Sequence, residues 1–365
     1  MHGAKPNCLA THENIEMASL LALSGRVGRE PLLAQASNGN TSIKLDGVLW
    51  IKGSGKWLAN AGQEDFLVPI PLADAEESVR TGTEIAPVYV GDKKLQPSIE
   101  TAMHAVLRHR IVIHLHSVNT IAWAIRLDAR FRMKERLDGL NWRWIPYVGS
   151  GIPLAREIQQ RDADAPEADV LVLGNHGLVI CGEDCNTVET LLGEVERRLE
   201  IIPRQCQDPD STALTMISRS SQWRLPELNA VHTLGTDAVS RRILKGGILY
   251  PCQAIFLGRT MPFLSKAVPF FDLNGRKNAE CDTRPFVIVE DGGVMINKTI
   301  TNTELANLMG LMQVVQRTEE STPLRYLTAA EVSSLLSERA HSYKAVAIRS
   351  EQVSSLHYGS ESARP

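Results

Sequence analysis

The stretch Arg110-Ile-Val-Ile-His114-Leu-His116-Ser117 constrains this chain more than any other. It is a short apolar run that ends in two histidines one residue apart. The run predicts a β-strand, and alternate side chains of a strand share a face, so His114 and His116 point the same way. Two imidazoles side by side supply half of a metal site. What completes the pair decides the function.

Composition narrows the setting. The chain has 365 residues, enough for two domains. A 43% apolar content supports a full core, and the formal net charge of -3 gives no drive toward nucleic acid or an anionic membrane. No apolar run approaches the roughly 20 residues that span a bilayer, and Met1 to His12 lacks the apolar core of a secretion signal. The expected location is the cytoplasm. The cysteines, Cys8, Cys181, Cys185, Cys206, Cys252 and Cys281, are scattered and read as reduced structural thiols.

Periodicity predicts a helix over Glu13–Leu23 and a β-hairpin over Ile43–Trp50 turning at Asp46-Gly47. A short strand is expected over Ala86–Val90, then a helix that starts near Ser98 and continues through Thr101–Arg110. Ser117–Arg126 reads as a helix capped by Ser117 or Asn119, Trp142–Val148 as a strand and Ile152–Arg161 as a helix. In Val170–Ile180, two apolar strand halves flank Gly174-Asn175-His176-Gly177, a quartet that marks a bulge or a close backbone approach. Asn186–Arg204 is a long amphipathic helix. The polar stretch near Pro203–Thr212 suggests a boundary, giving a domain of residues 1–205 and a small α/β domain of 206–365. In the second domain, strands are expected over Gln253–Leu257, Pro285–Glu290 and Gly293–Ile296. Helical pieces are expected over Ser220–Leu244, helices over Asn302–Gln316 and Ala329–His341, and a loose tail from Val346. It carries no dinucleotide fingerprint.

Gly53-Ser-Gly-Lys56 has some features of a P-loop but fails its pattern. Trp50 stands where the first glycine belongs, and Trp57 stands where Ser or Thr should follow the lysine. An anion loop for a phosphate or carboxylate remains open beside an ordinary turn.

His176, in its glycine-flanked break, is the natural third partner of His114 and His116. Three neutral imidazoles leave a zinc ion one open position, the pattern of a catalytic site. Glu100, on the helix start just before the histidine strand, is the natural nearby carboxylate. His104, His109, His232, His341 and His357 read as ordinary surface or core histidines.

In chain order, Gly39-Asn40-Thr41-Ser42, Gly53-Ser54-Gly55, Pro97-Ser98-Ile99-Glu100, His114-Leu115-His116 and Asn175-His176-Gly177 resemble the motifs of the class II aldolase/adducin family. Its members include the fuculose- and rhamnulose-phosphate aldolases. The resemblance spans roughly Glu13 to Arg204. It implies an α/β fold, with α/β/α layers around a mostly antiparallel central sheet. It also implies a small-molecule substrate and a homo-oligomer, often a tetramer, with sites near subunit interfaces. By this resemblance His114, His116 and His176 are metal ligands for Zn2+ or another divalent metal such as Mn2+ or Co2+. Glu100 is the acid/base residue, and Asn40, Ser54, Gly55 and Ser98 hold substrate.

The implied activity is metal-dependent (retro-)aldol cleavage of a hydroxylated ketone, sugar phosphate or sugar-acid derivative through a metal-stabilised enediolate, a lyase of carbohydrate metabolism. Ile99 replaces a second serine of the fuculose-phosphate aldolase pattern, so one hydroxyl donor to a phosphate is lost. The pentulose-phosphate 4-epimerases of the same fold carry Asp where this chain has Glu100. The methylthioribulose-phosphate dehydratases share a histidine pair followed by Ser, similar to His116-Ser117. Dehydration, epimerisation and decarboxylation are therefore alternatives, and a non-catalytic adducin-like binding protein is a second.

Overall fold

The computed structural model describes residues 8–63, 65–91, 93–162, 167–205, 209, 214–215, 222–264, 284–336 and 343–348. The chain forms two compact units, one of Met1–Thr120 with Met133–Leu199, the other of Ile121–Arg132 with Glu200–Pro365.

The first unit is built on a seven-stranded sheet. Its strands are β1 (Asn40–Leu45), β2 (Val48–Lys52), β3 (Leu67–Pro71), β6 (Ile111–Leu115), β7 (Trp142–Ile145), β8 (Val170–Leu173) and β9 (Gly177–Gly182), and β4 (Val88–Val90) and β5 (Lys93–Leu95) form a separate pair. The sheet order is β3-β2-β1-β6-β9-β8-β7, antiparallel throughout except where β7 runs parallel to β8. The hairpin expected at Asp46-Gly47 is present, with both residues at positive φ (46° and 77°), the signature of the turn type that suits strand twist. Strand β3 lies at the sheet edge, where Pro69 and Pro71 forfeit few ladder hydrogen bonds.

Helices cover both faces. α2 (Leu72–Thr81), α3 (Thr101–Val106) and α6 (Ile152–Asp162) lie on the face that carries Ile51, Val112 and Val179, and Met103, Ala105, Leu154 and Ile158 close the core there. α1 (Cys8–Gly28) packs on β1, and α7 (Cys185–Leu199) packs on β6 and β9. The apolar stripe of α7 is buried through Val188, Leu192, Val195 and Leu199. α3 is shorter than its periodicity suggests. Leu107 turns to extended backbone (ψ 125°) and buries its side chain, so residues 107–110 lead into β6 instead of continuing the helix. α4 (Val118–Ala124) follows β6, with the Thr120 N–H donating to Ser117 Oγ at 3.1 Å, so Ser117 is the cap. α5 (Ala129–Arg136) follows α4.

The second unit has its own four-stranded sheet. Its strands are β10 (Trp223–Arg224), β11 (Phe263–Leu264), β12 (Phe286–Val289) and β13 (Gly293–Asn297), in the order β10-β13-β12-β11. Val287, Val289, Met295 and Trp223 form its core with Leu214. The helix Asn302–Gln316 starts at a reciprocal cap between Thr301 and Glu304, and Ala329–Leu335 repeats the device with Thr328 and Glu331. Gln253–Leu257 is a π-helical turn and not the expected strand. Pro251 presets helical backbone just before it, and the Gln253 side chain accepts the Leu249 N–H at 2.7 Å. The expected extension of the last helix to His341, and most of the expected tail, lie outside the described residues, as do His341 and His357.

Among the described residues, no helix is long and apolar enough to cross a membrane. Cys181, Cys185 and Cys252 are buried, and burial pushes the Cys185 thiol up to about 11. Cys206 and Cys281 lie outside the described residues.

Candidate metal centre and acid–base site

β6 is the central strand of the large sheet, and all five of its residues are buried. His114 pairs with Asn40 of β1 on one side and Val179 of β9 on the other. His116 lies just past the strand end. His176 arrives from the β8–β9 hairpin. The two apolar halves flanking the glycine quartet are thus two antiparallel strands folded back on each other, with Leu173 opposite Gly177. Asn175 sits at φ 52°, a left-handed conformation that asparagine tolerates better than most residues. This turn swings His176 back over the end of β6.

The three imidazoles are buried and mutually edge-on, with ring centroids 5.0, 4.9 and 5.1 Å apart. Among the described residues, they form the grouping of His, Cys, Asp or Glu that can hold a metal ion, with ligand atoms within 4.8 Å of one another. His114 Nε2 and His116 Nε2 are 3.2 Å apart. Two nitrogens bound to a tetrahedral zinc at 2.0–2.1 Å stand about 3.3–3.4 Å apart, so this edge already has the required length. His114 Nδ1 donates to the Leu178 carbonyl at 3.1 Å. That bond fixes the tautomer and leaves Nε2 bare for a ligand, as outer partners of metal-bound histidines do.

Glu100 closes the cluster. It sits at the N-cap position of α3, with Oε2 3.3 Å from His114 Nε2 and Oε1 3.4 Å from His176 Nε2. Oε1 is buried and has no hydrogen-bond partner. Burial pushes His116 well below the usual imidazole range and His176 down to about 4, so both stay neutral near pH 7. Burial pushes the Glu100 carboxyl up, but the three histidines and the Asn40 amide outweigh it and hold the group at about 2. An imidazole exerts that pull only when charged, and the burial that keeps His116 and His176 neutral works against it. Glu100, His116 and His176 therefore titrate together, a carboxylate beside two neutral rings. Three clustered imidazoles beside a buried carboxylate oxygen that has no hydrogen-bond partner fit a divalent cation at their centre.

The remaining predicted residues fall into two places. Asn40 and Ser98 join Glu100: Asn40 Nδ2 donates to Glu100 Oε2 at 2.8 Å and to Ser98 Oγ at 3.1 Å, and the Glu100 N–H donates to Ser98 Oγ at 3.3 Å. Ser54 and Gly55 lie in the neighbouring loop, tied to the Pro97 strand end by a Gly53–Pro97 bridge and by Ser54 N–H to Gln96 O at 2.7 Å. The N–H groups of Gly53, Ser54 and Lys56 all donate to protein carbonyls, as they would in the ordinary turn that the sequence left open beside an anion loop. A buried ammonium stands in its neighbourhood. Lys52 Nζ donates to Ser37 O at 2.6 Å and to Lys56 O at 2.7 Å, linking the loop before β1 to the loop after β2. The sequence reading missed Lys52, and it missed His104, which is hydrogen-bonded to Asn40, and Ser42, which is hydrogen-bonded to His104. The available signals were spacing: His104 lies four residues after Glu100 on a helix, and Ser42 two after Asn40 on a strand.

Residues 19–202 match the family model of the class II aldolase and adducin N-terminal domain, about half of the chain. The chain belongs to the class II aldolase/adducin family. One curated relative is the uncharacterized oxidoreductase YuxG of Bacillus subtilis (strain 168), 28% identical over 184 residues, 46% of this chain and 27% of that protein. The chain thus spans about a quarter of that relative's length. Among solved structures, it is similar to the N-terminal class II aldolase domain of a conserved protein from Thermoplasma acidophilum (21% identity, 55% of this chain and 95% of that chain, TM-score 0.44). It is also similar to l-fuculose-1-phosphate aldolase from Thermus thermophilus (20%, 50% and 91%, TM-score 0.36) and to YgbL from Klebsiella pneumoniae, described as a putative aldolase/epimerase/decarboxylase (20%, 51% and 87%, TM-score 0.38). Class II aldolases depend on a metal, and the buried triad of this member can hold one.

Proposed function

We propose that this protein catalyses metal-dependent aldol cleavage of a hydroxylated ketone, sugar phosphate or sugar-acid derivative. The observation that carries the reading is Glu100 Oε1, buried, without a hydrogen-bond partner and 3.4 Å from His176 Nε2. His114, His116 and His176 would hold the ion through Nε2. A divalent metal bound there supplies Lewis-acid charge to a carbonyl and its neighbouring hydroxyl. Glu100 moves the proton at the carbon beside that carbonyl. In the cleavage direction the Glu100 carboxylate takes the proton of the hydroxyl on the departing carbon, the carbon–carbon bond breaks as that carbon becomes an aldehyde, its electron pair stays with the ketone fragment, and Glu100 returns the proton there. In the synthetic direction the Glu100 carboxylate takes that proton. Asn40 holds Oε2 and leaves Oε1 to do this.

Ser117, the residue that brought dehydration into view, accepts the Thr120 N–H as the cap of α4 and keeps its own O–H to donate, so water loss is followed beside aldehyde release. Ile99 offers no hydroxyl to a phosphate, so unphosphorylated substrates belong in the test beside phosphorylated ones.

The test begins with metal. Wild-type protein is expected to bind zinc, manganese or cobalt with one ion per chain, and His114→Ala to weaken binding by more than the ~10–100-fold typical of losing an outer partner. Glu100→Gln is expected to keep the ion and lose about 10²–10⁴-fold in proton transfer. The loaded protein is then screened against ketoses and aldonic acid derivatives, with and without phosphate, following aldehyde release and water loss separately. A folded wild-type protein that takes up none of the three metals sinks the proposal.

A further inference from the structure

His104 lies wholly inside the first unit, and both of its ring nitrogens are engaged. Nδ1 is 2.7 Å from Ser42 Oγ, and Nε2 is hydrogen-bonded to Asn40 Oδ1. The arrangement follows from two periodicities. Glu100 and His104 are one helical turn apart, linked by the His104 N–H to Glu100 O bond at 3.2 Å. Asn40 and Ser42 alternate along β1 and share the face that α3 covers. Helix and strand thus meet side chain to side chain, with the imidazole between them.

The direction of every proton in this chain is fixed by what each group can do. The Glu100 carboxylate only accepts, so the Asn40 amide nitrogen must face it, as it does at 2.8 Å. Asn40 Oδ1 therefore faces His104 and can only accept, so His104 Nε2 carries the hydrogen. In a neutral ring Nδ1 then accepts, and the Ser42 hydroxyl donates to it. Burial holds the ring neutral, well below the usual imidazole range. The donors run one way, from Ser42 through His104 and Asn40 to Glu100 Oε2, and aligned chains of this kind reinforce one another.

We propose that His104 is a positioning residue for Glu100: by fixing the Asn40 amide it ties down Oε2 and leaves Oε1 as the oxygen that transfers the proton. The inference rests on reading Glu100 as the acid/base group. Without the His104 Nε2 donor, Asn40 can rotate and present its carbonyl to the carboxylate. Glu100 then loses a donor and its fixed orientation, while the histidine triad is untouched.

The experiment compares wild type, His104→Leu, His104→Gln and Glu100→Gln, all loaded with zinc. The probes are dihydroxyacetone and dihydroxyacetone phosphate, with exchange of the hydrogens beside the carbonyl followed in heavy water. Zinc affinity is measured by chelator competition, and the tautomer of His104 by ¹⁵N NMR of histidine-labelled protein. The wild-type ring is expected to show the neutral Nε2–H form. His104→Leu is expected to lose about 10–100-fold in kcat, with KM and zinc affinity little changed. Glutamine can place its amide N–H where Nε2 stood, so His104→Gln is expected to recover to within a few-fold of wild type. An Nδ1–H or doubly protonated ring in the wild type overturns the inference, and this measurement needs no variant to fold. Equal losses in the leucine and glutamine variants, or a loss carried by zinc affinity, also overturn it. Full activity in Glu100→Gln, or no exchange of either probe by the wild type, sinks the reading of Glu100 itself and the positioning role with it.

Discussion

Lys44 is a cation kept under burial. Its Nζ donates to the His109 carbonyl at 2.9 Å, and burial lowers its pKa from 10.5 to about 8, against weaker support from nearby acidic groups. The folded chain releases this proton near pH 8, whereas the unfolded chain holds it until about 10.5. Between those values the unfolded state binds more protons, so stability rises with pH. The span corresponds to at most about 3 kcal/mol. Urea midpoints measured across the window are expected to climb in the wild type and stay flat in Lys44→Met. A wild-type midpoint that falls there contradicts the burial account. Single residues were unevenly legible in the sequence. His114, His116, His176 and Glu100 could be singled out because strand alternation and glycine flanks are local signals, and the structure brings these four together. His104, read as an ordinary histidine, gave no such sign, since its meaning depends on Asn40 and Ser42, more than sixty positions away. The same distance hid Lys52, an apparently routine strand-end lysine whose charge is enclosed by two loop carbonyls.

Among the elements, β6 is held from both sides by glycine backbones. A Cβ on Gly39 would lie 2.7 Å from His114 O, and one on Gly177 would lie 2.5 Å from Leu115 O. Gly39 also has φ 74°, which a side chain would strain by about 1–2 kcal/mol. Both neighbouring strands therefore approach the histidine strand more closely than any side chain allows. Gly39→Ala and Gly177→Ala are each expected to cost at least about 2 kcal/mol in chemical denaturation and to weaken zinc binding, because His114 must move with its carbonyl. Wild-type stability in both would mean that the strand can yield. The hairpin at Asp46-Gly47 was readable because two turn residues set it without help. The π-turn at Gln253–Leu257 was not. Its residues suit a strand, and the decision was made by Pro251 before it and by packing against the distant helix Asn302–Gln316. Likewise, α3 ends early for a reason that lies in the core around Leu107 and not in its own periodicity.

At the scale of the whole molecule, each unit has its own sheet, but the path of the chain between them is discontinuous. Residues 121–132 belong with 200–365, and their backbone is paired there. Arg126 bridges Leu324, Leu127 N–H donates to Pro323 O at 2.9 Å, and Arg325 N–H to Ile125 O at 2.7 Å. A fragment of residues 1–205 would keep this segment and lose its partners. We expect such a fragment to melt below the full chain and to aggregate more readily, as calorimetry and light scattering would show. An equal melting temperature would mean that the segment finds other partners. The polar lapse near residue 205 is visible in sequence, but a segment donated from the middle of the first unit is not, because nothing in its composition says which sheet it serves. The first unit, for its part, holds the Nε2 atoms of three histidines together on strand ends of a single hydrogen-bonded sheet. An arriving ion thus waits on no folding step and finds its coordination sphere already drawn. A chelator that strips it is expected to leave the protein folded and ready to reload.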